Sequence, residues 1–215
     1  MRKFEFEVFL KYCYLILTCI FLFDIIGTLD ERSIMEHKVI AIVGMCGAGK
    51  SVGCKILEDK GFKVVYFGKV TMDILKDKNM EITPENEKLI REDLRNKYGM
   101  SAFATILKPK IKELLKNNNV VLDGLYSWDE LVLLKEEFKD NLIVIAIVVD
   151  KNIRYERLSK RDIRSLNNLQ AKDRDIAEIE NLAKGGPISY ADFYILNNGS
   201  LNDYEDRMLS ILKEI

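Results

Sequence analysis

Val39-Ile40-Ala41-Ile42-Val43-Gly44-Met45-Cys46-Gly47-Ala48-Gly49-Lys50-Ser51 is the stretch that decides the fold of this chain. Its first five residues are apolar and mostly β-branched, with no polar interruption. That is the pattern of a strand buried on both faces of a parallel sheet. The next eight fit G-x-x-x-x-G-K-[ST], and Val52, Ile56 and Leu57 then recur at helical spacing, with Gly61 placed to end the helix. Strand, glycine-rich loop and helix thus follow in the order a phosphate-binding loop requires. Gly44, Gly47 and Gly49 let the main chain approach an anion closely. Successive amides and the helix N-terminus then face it, Met45, Cys46 and Ala48 contributing backbone only. Lys50 is expected to reach the β- and γ-phosphates, and the Ser51 hydroxyl to be a Mg²⁺ ligand.

Outward from this loop, strands and helices alternate. Lys63–Phe67, Val120–Asp123, Leu142–Val149 and Phe193–Leu196 read as further strands, with Leu142–Val149 as a central one. Helical patterns cover Pro84–Tyr98, with Thr83 as N-cap and Pro84 at the first position, and Ser101–Asn117, with Pro109 as a candidate bend. Asn152–Arg161, Ala171–Leu182 and Asn202–Ile215 complete the set. Such alternation implies an α/β fold of three layers, a parallel sheet with right-handed crossovers.

Two features outside the loop carry chemistry. Asp123 closes an apolar strand at its carboxyl end, where sheets of this kind place ligands, and is expected to hold a Mg²⁺-bound water or a substrate group. A turn-forming Asp before Gly124 is the structural alternative. Arg154, Arg157, Arg161 and Arg164 share one face if a single helix continues through them. Guanidinium forks match the charge spread over a transferring phosphoryl group, whereas a solvated face paired with Glu156 and Asp162 is the plainer reading. Arg174 opens another charged stretch suited to a lid. Tyr126 and Trp128 read as packing residues or pocket walls. Asn-Lys-x-Asp, the guanine-reading motif, is absent, which favours ATP over GTP.

Composition removes other classes of function. Of 215 residues, 48% are hydrophobic and 31% charged, and the net charge is −1, so no global field draws the chain to nucleic acid or an anionic membrane and any positive site must be local. His37 is the single histidine, which excludes a histidine-rich metal site. Cys13, Cys19, Cys46 and Cys54 form no C-x-x-C pair and read as reduced thiols in a cytoplasmic protein, the last two as small space-fillers. Residues 1–34 differ from the rest. They are strongly apolar, but the uncharged run Tyr12–Phe23 is shorter than the ~20 residues of a membrane span. A membrane-associated tail, a helix packed on the domain, and translation truly starting at Met35 remain as readings, the last preferred. The division expected is an apolar extension, 1–34, and one domain, 35–215.

From about residue 38 onward the chain resembles an archaeal P-loop nucleotide kinase-like family related to dephospho-CoA kinase and adenylate kinase. Gly44 to Ser51, Thr83-Pro84-Glu85-Asn86, Val121-Leu122-Asp123-Gly124, Arg154-x-x-Arg157-Leu158-x-x-Arg161, and Ala191-Asp192-Phe193 with Asn197-x-Gly199-Ser200 carry the resemblance. It implies a nucleoside-monophosphate-kinase-like fold with a helical substrate region and an arginine-bearing lid. It also implies that Lys50 and Ser51 bind phosphate and Mg²⁺, and that Arg157 and Arg161 contact the ATP side. Relatives often carry arginine where this chain has Met72 and Tyr126, and aspartate where it has Lys69, so an acceptor held as adenylate kinases hold AMP is not expected; Arg91 or Arg95 can substitute. The expected activity is ATP- and Mg²⁺-dependent phosphoryl transfer to a small nucleotide-like acceptor, with Lys50, Asp123, Arg157 and Arg161 as catalytic residues. An ATP-binding switch or assembly factor with slow hydrolysis, acting on a protein or RNA, is the rival reading. No membrane partner is expected unless residues 1–34 belong to the native chain.

Overall fold

The structure, a computed structural model, describes residues 37–162 and 164–215. The readings of residues 1–34 lie outside the described residues, as does Met35. Among the described residues, no helix is long and apolar enough to cross a membrane.

The run that opens with Val39 forms β1 (Val39–Val43), every residue of which is buried. Helix α1 (Lys50–Asp59) leaves the loop and ends in a Schellman turn. Gly61 takes φ 94° there, its amide donates to Glu58 O, and Phe62 N donates to Leu57 O. Next come β2 (Lys63–Tyr66), α2 (Gly68–Asp77), α3 (Pro84–Tyr98) and α4 (Ala102–Leu115). Thr83 caps α3 by accepting from Asn86 N, with Pro84 behind it, so the Thr-Pro-Glu-Asn segment is a helix-start device. Pro109 lies inside α4, which runs through it.

Strand β3 (Val120–Asp123) leads to α5 (Trp128–Phe138), and a short 3₁₀ turn to β4 (Leu142–Val148). Helices α6 (Lys151–Ser159), α7 (Asn168–Leu182) and α8 (Gly185–Ser189) precede β5 (Phe193–Leu196) and α9 (Leu201–Leu212). Three of these helices, α2, α5 and the five-residue α8, do not stand out from the sequence. Lys69, Asp73 and Lys76 dilute the apolar spacing of α2, and α5 is announced mainly by its capping box, Ser127 with Glu130.

All four ladders are parallel, in the order β2-β3-β1-β4-β5. The middle place belongs to β1. Strand β4, longer and more apolar, is interior but one position off centre, because length and hydrophobicity report burial, not rank in the sheet. On one face Ile40, Ile42, Ile145 and Ile147 pack with Leu57 of α1 and Tyr204 and Met208 of α9. Helices α4, α5 and α8 cover strands of the same sheet. Fully burying an isoleucine stabilises by about 1.5–3 kcal/mol, so this alternation holds the carboxyl ends of β1 and β3 in register, Ile42 opposite Asp123.

Candidate functional site

The loop after β1 is shaped by carbonyls turned outward and held there. Arg154 donates to Cys46 O at 3.0 Å, Asn197 Nδ2 to Ala48 O at 2.9 Å, and Tyr204 OH to Gly49 O at 3.2 Å. Lys50 Nζ and Ala48 N donate to Met45 O. Among the described residues, the amides of Gly47, Gly49, Lys50 and Ser51 have no protein acceptor. A loop whose Met45, Cys46, Ala48 and Gly49 carbonyls are engaged while its amides stay free has the chemistry of an anion receptor. Space enforces the same path. At Gly44, φ is 147° and a Cβ would lie 2.5 Å from Ile147 O; at Gly49, φ is 99° and it would lie 2.7 Å from Asn197 Nδ2.

Electrostatics sharpen this. Burial and the ammonium of Lys184 pull Lys50 down to about 8. Asp123 is half-buried, and burial pushes its carboxyl up, while Lys50 and the Ser51 hydroxyl draw it back. Ser51 and Asp123 thus converge on the Lys50 end of the loop. An alcohol and a carboxylate are hard oxygen donors that suit Mg²⁺, which takes one or two protein ligands and completes its shell with water and substrate phosphate. No group of three or more His, Cys, Asp or Glu side chains forms a protein-only metal cage among the described residues.

The four arginines do not share a helix face. Helix α6 stops at Ser159, since Arg161 and Asp162 lie in the turn beyond it and Arg164 takes φ 58°. Arg154 is buried and grips both the loop, at Cys46 O, and Asp175 of α7, at 3.0 and 2.7 Å. Arg157 is half-buried and acts electrostatically on the Tyr204 phenol, beside the loop; Arg161 is exposed. Cys46 and Cys54 are both buried and free.

A cavity of about 630 Å³ opens beyond the loop. Tyr66, Phe67, Met72, Phe103 and Tyr126 supply apolar wall, and Arg91, Arg95, Arg164 and Arg174 supply cations. Glu178, also in its wall, accepts from Arg174 and from Lys184. Lys184 is 1% exposed, and its Nζ lies 4.6 Å from the centre of the Tyr126 ring. Burial lowers the Lys184 pKa against the pull of Glu178; the Glu178 carboxyl, pushed up by burial, is held below its ordinary value by Lys184 and Arg174. Sequence reasoning missed Lys184, Glu178 and Tyr204. Only Ala183-Lys184-Gly185-Gly186-Pro187, a lysine in a helix-ending glycine turn, offered a local signal for the first.

Residues 40–175 match a model described as an AAA domain. A UPF0200 protein of Thermococcus kodakarensis is 32% identical over 183 residues, covering 82% of this chain and 97% of the relative. The chain belongs to the UPF0200 family. A UPF0200/UPF0201 protein of Archaeoglobus fulgidus is 34% identical over 85% of this chain, but the match spans only 57% of that longer relative. Among solved structures, a shikimate kinase from Bacteroides thetaiotaomicron aligns with TM-score 0.53 at 13% identity, covering 82% of this chain and 97% of that one. A gluconokinase from Sinorhizobium meliloti aligns with TM-score 0.53 at 14% identity, covering 82% and 92%. At such identities the likeness is one of fold. The UPF0200 chain therefore has a three-layer α/β fold on a five-stranded parallel sheet, the fold of these two kinases, with helices α2 to α4 between β2 and β3 and α6 to α8 between β4 and β5.

Proposed function

We propose that this chain is a Mg²⁺- and ATP-dependent phosphotransferase that moves the γ-phosphate of ATP to a small nucleotide-like acceptor bound in the cavity. The observation that carries the reading is the loop whose carbonyls are pinned outward by Arg154, Asn197 and Tyr204 while its amides stay free. Lys50 neutralises the β- and γ-phosphates, and Arg157 and Arg161 approach the ATP side from the lid. Ser51 and Asp123 hold Mg²⁺, which supplies charge neutralisation at the transferring group when bound. The protein's part is positioning and electrostatic stabilisation, with no covalent intermediate on the chain. We assign this domain to residues 35–215 and place it in the cytoplasm, where ATP is supplied.

A coupled assay with ATP, Mg²⁺ and AMP, CMP or dephospho-CoA tests the reading, with gluconate and shikimate as non-nucleotide acceptors. Turnover with one of the first three, abolished in Lys50→Ala, is expected. Unchanged turnover in that variant sinks it. Met72 and Tyr126, in the cavity wall at positions where the resemblance leads one to expect arginine, favour a second reading, an ATP-driven switch for a protein or RNA partner. Slow ATP hydrolysis with no acceptor consumed, together with a co-purifying partner, selects that reading.

A further inference from the structure

The cavity's charges do not cancel. Its wall carries five basic side chains, Lys88, Arg91, Arg95, Arg164 and Arg174, against three acidic ones, Glu87, Glu92 and Glu178. Each acid already has a partner one turn away on its own helix: Glu87 with Arg91, Glu92 with Lys88, Glu178 with Arg174. Arg164 reaches across to share Glu87, and Arg95 is left over. The chain as a whole is at −1, so this excess of positive charge is local to the cavity.

Arg95 is also incompletely satisfied. Its Nε is buried without a hydrogen-bond partner. Its guanidinium lies 5.5 Å from the centre of the Phe103 ring, which braces it. Glu130 acts on Arg95 from behind, but its Oε2 is occupied by the amides of Tyr126 and Ser127 and its Oε1 is unpaired. Thr71, also in the cavity wall, is 3% exposed and its hydroxyl is likewise unpaired. Leaving a polar group buried and unpaired costs about 1–3 kcal/mol, so a cavity wall with such donors has a built-in demand for an acceptor atom.

We propose that the cavity takes a phosphomonoester, its dianionic phosphate held by Arg95 with Arg164 and the Thr71 hydroxyl, and its body packed against Phe103, Tyr66 and Tyr126. This deepens the phosphotransferase reading and rests on it for the identity of the cavity as the acceptor site. A phosphate dianion matches an excess of two positive charges, presents several acceptor oxygens, and fits the planar guanidinium fork. A neutral sugar or a nucleoside leaves the excess charge unanswered. Arg95 stands on α3 two residues before Lys97 and one turn after Arg91, away from residues 72 and 126, where the resemblance leads one to expect arginine.

Titration calorimetry of the full chain against AMP and CMP, each beside adenosine or cytidine lacking the phosphate, tests this. D-glucuronate serves as a carboxylate probe and inorganic phosphate as the bare group. Each titration is run with and without saturating Mg·AMP-PNP. At least one phosphomonoester is expected to bind roughly ten- to hundredfold more tightly than its unphosphorylated partner, and to keep doing so with AMP-PNP present. Arg95→Gln should remove that margin while leaving AMP-PNP binding unchanged; Arg95→Lys, which keeps the charge but not the fork, should lose part of it. Should Arg95→Gln not fold, Thr71→Val, with the same shape and no hydroxyl, should weaken the phosphomonoester and spare the nucleoside. Equal affinity for nucleoside and nucleotide, tighter binding of the carboxylate, competition by AMP-PNP, or full affinity in Arg95→Gln each overturns the proposal. AMP-PNP binding tests the loop separately, so its loss defeats the phosphotransferase reading and not the acceptor assignment alone.

Discussion

Raising the pH through 8 is expected to weaken triphosphate binding, with Lys50 as the cause. Burial and the Lys184 ammonium bring its pKa to about 8, against about 10.4 for an ordinary lysine. In the nucleotide-free protein, roughly nine in ten Lys50 side chains are charged at about pH 7, half at about pH 8, and one in ten at about pH 9. A bound triphosphate places negative charge beside Nζ and raises its pKa, so the complex stays protonated across this window. The complex therefore holds more protons than the free protein, binding takes up a proton, and affinity falls as pH rises. The slope approaches tenfold per pH unit above 8, about 1.4 kcal/mol per unit. Calorimetry with Mg·AMP-PNP in buffers of different ionisation enthalpy reads the uptake directly: roughly 0.1, 0.5 and 0.9 proton at about pH 7, 8 and 9. Lys184→Met, by removing the like charge, should move the midpoint upward. Flat affinity from about pH 7 to about pH 9, with no proton uptake at the upper end, would refute the reasoning.

Other outcomes follow from the same contacts. Asn197→Ala leaves the Ala48 carbonyl unpaired and should cost about 1–3 kcal/mol in chemical denaturation, with weaker AMP-PNP binding; unchanged affinity would mean the loop holds its shape unaided. Arg154→Met strands the buried Asp175 carboxylate and should cost about 3–5 kcal/mol, more than the double variant Arg154→Met with Asp175→Leu. Glu130 has its carboxyl pushed up by burial to about 7, so the folded state holds a proton that the unfolded chain releases near 4.5. Its contribution to stability is full below that lower value and is lost as pH rises toward 7, and Glu130→Gln, which keeps the capping box, should flatten the stability profile over that interval.

The fold was legible because its signals are local. Val39–Val43 is apolar throughout, Gly44–Ser51 is a spaced motif, and Thr83-Pro84 opens a helix within four residues. The parts of the site left unread depend on distance. Nothing in Asn197 or Tyr204 announces that each will fold back onto carbonyls about 150 residues earlier. Lys184 looks like any surface lysine until Glu178 and the Tyr126 ring enclose it. The arginine series misled for a related reason: spacing places residues on one face only while the helix lasts, and α6 ends before Arg161.

The two halves of the site draw on different helices. Helix α3 provides Glu87, Lys88, Arg91, Glu92, Arg95 and Asn96 to the cavity, while the bonds that shape the loop come from Arg154, Asn197 and Tyr204. Mutational drift along α3 can therefore rewrite what the cavity selects without loosening the triphosphate grip. On the acceptor assignment proposed above, that separation would let the cavity's selectivity change one helix at a time, while Asp175 on α7, next in sequence to the cavity's Arg174, keeps any change on that side tied to the loop.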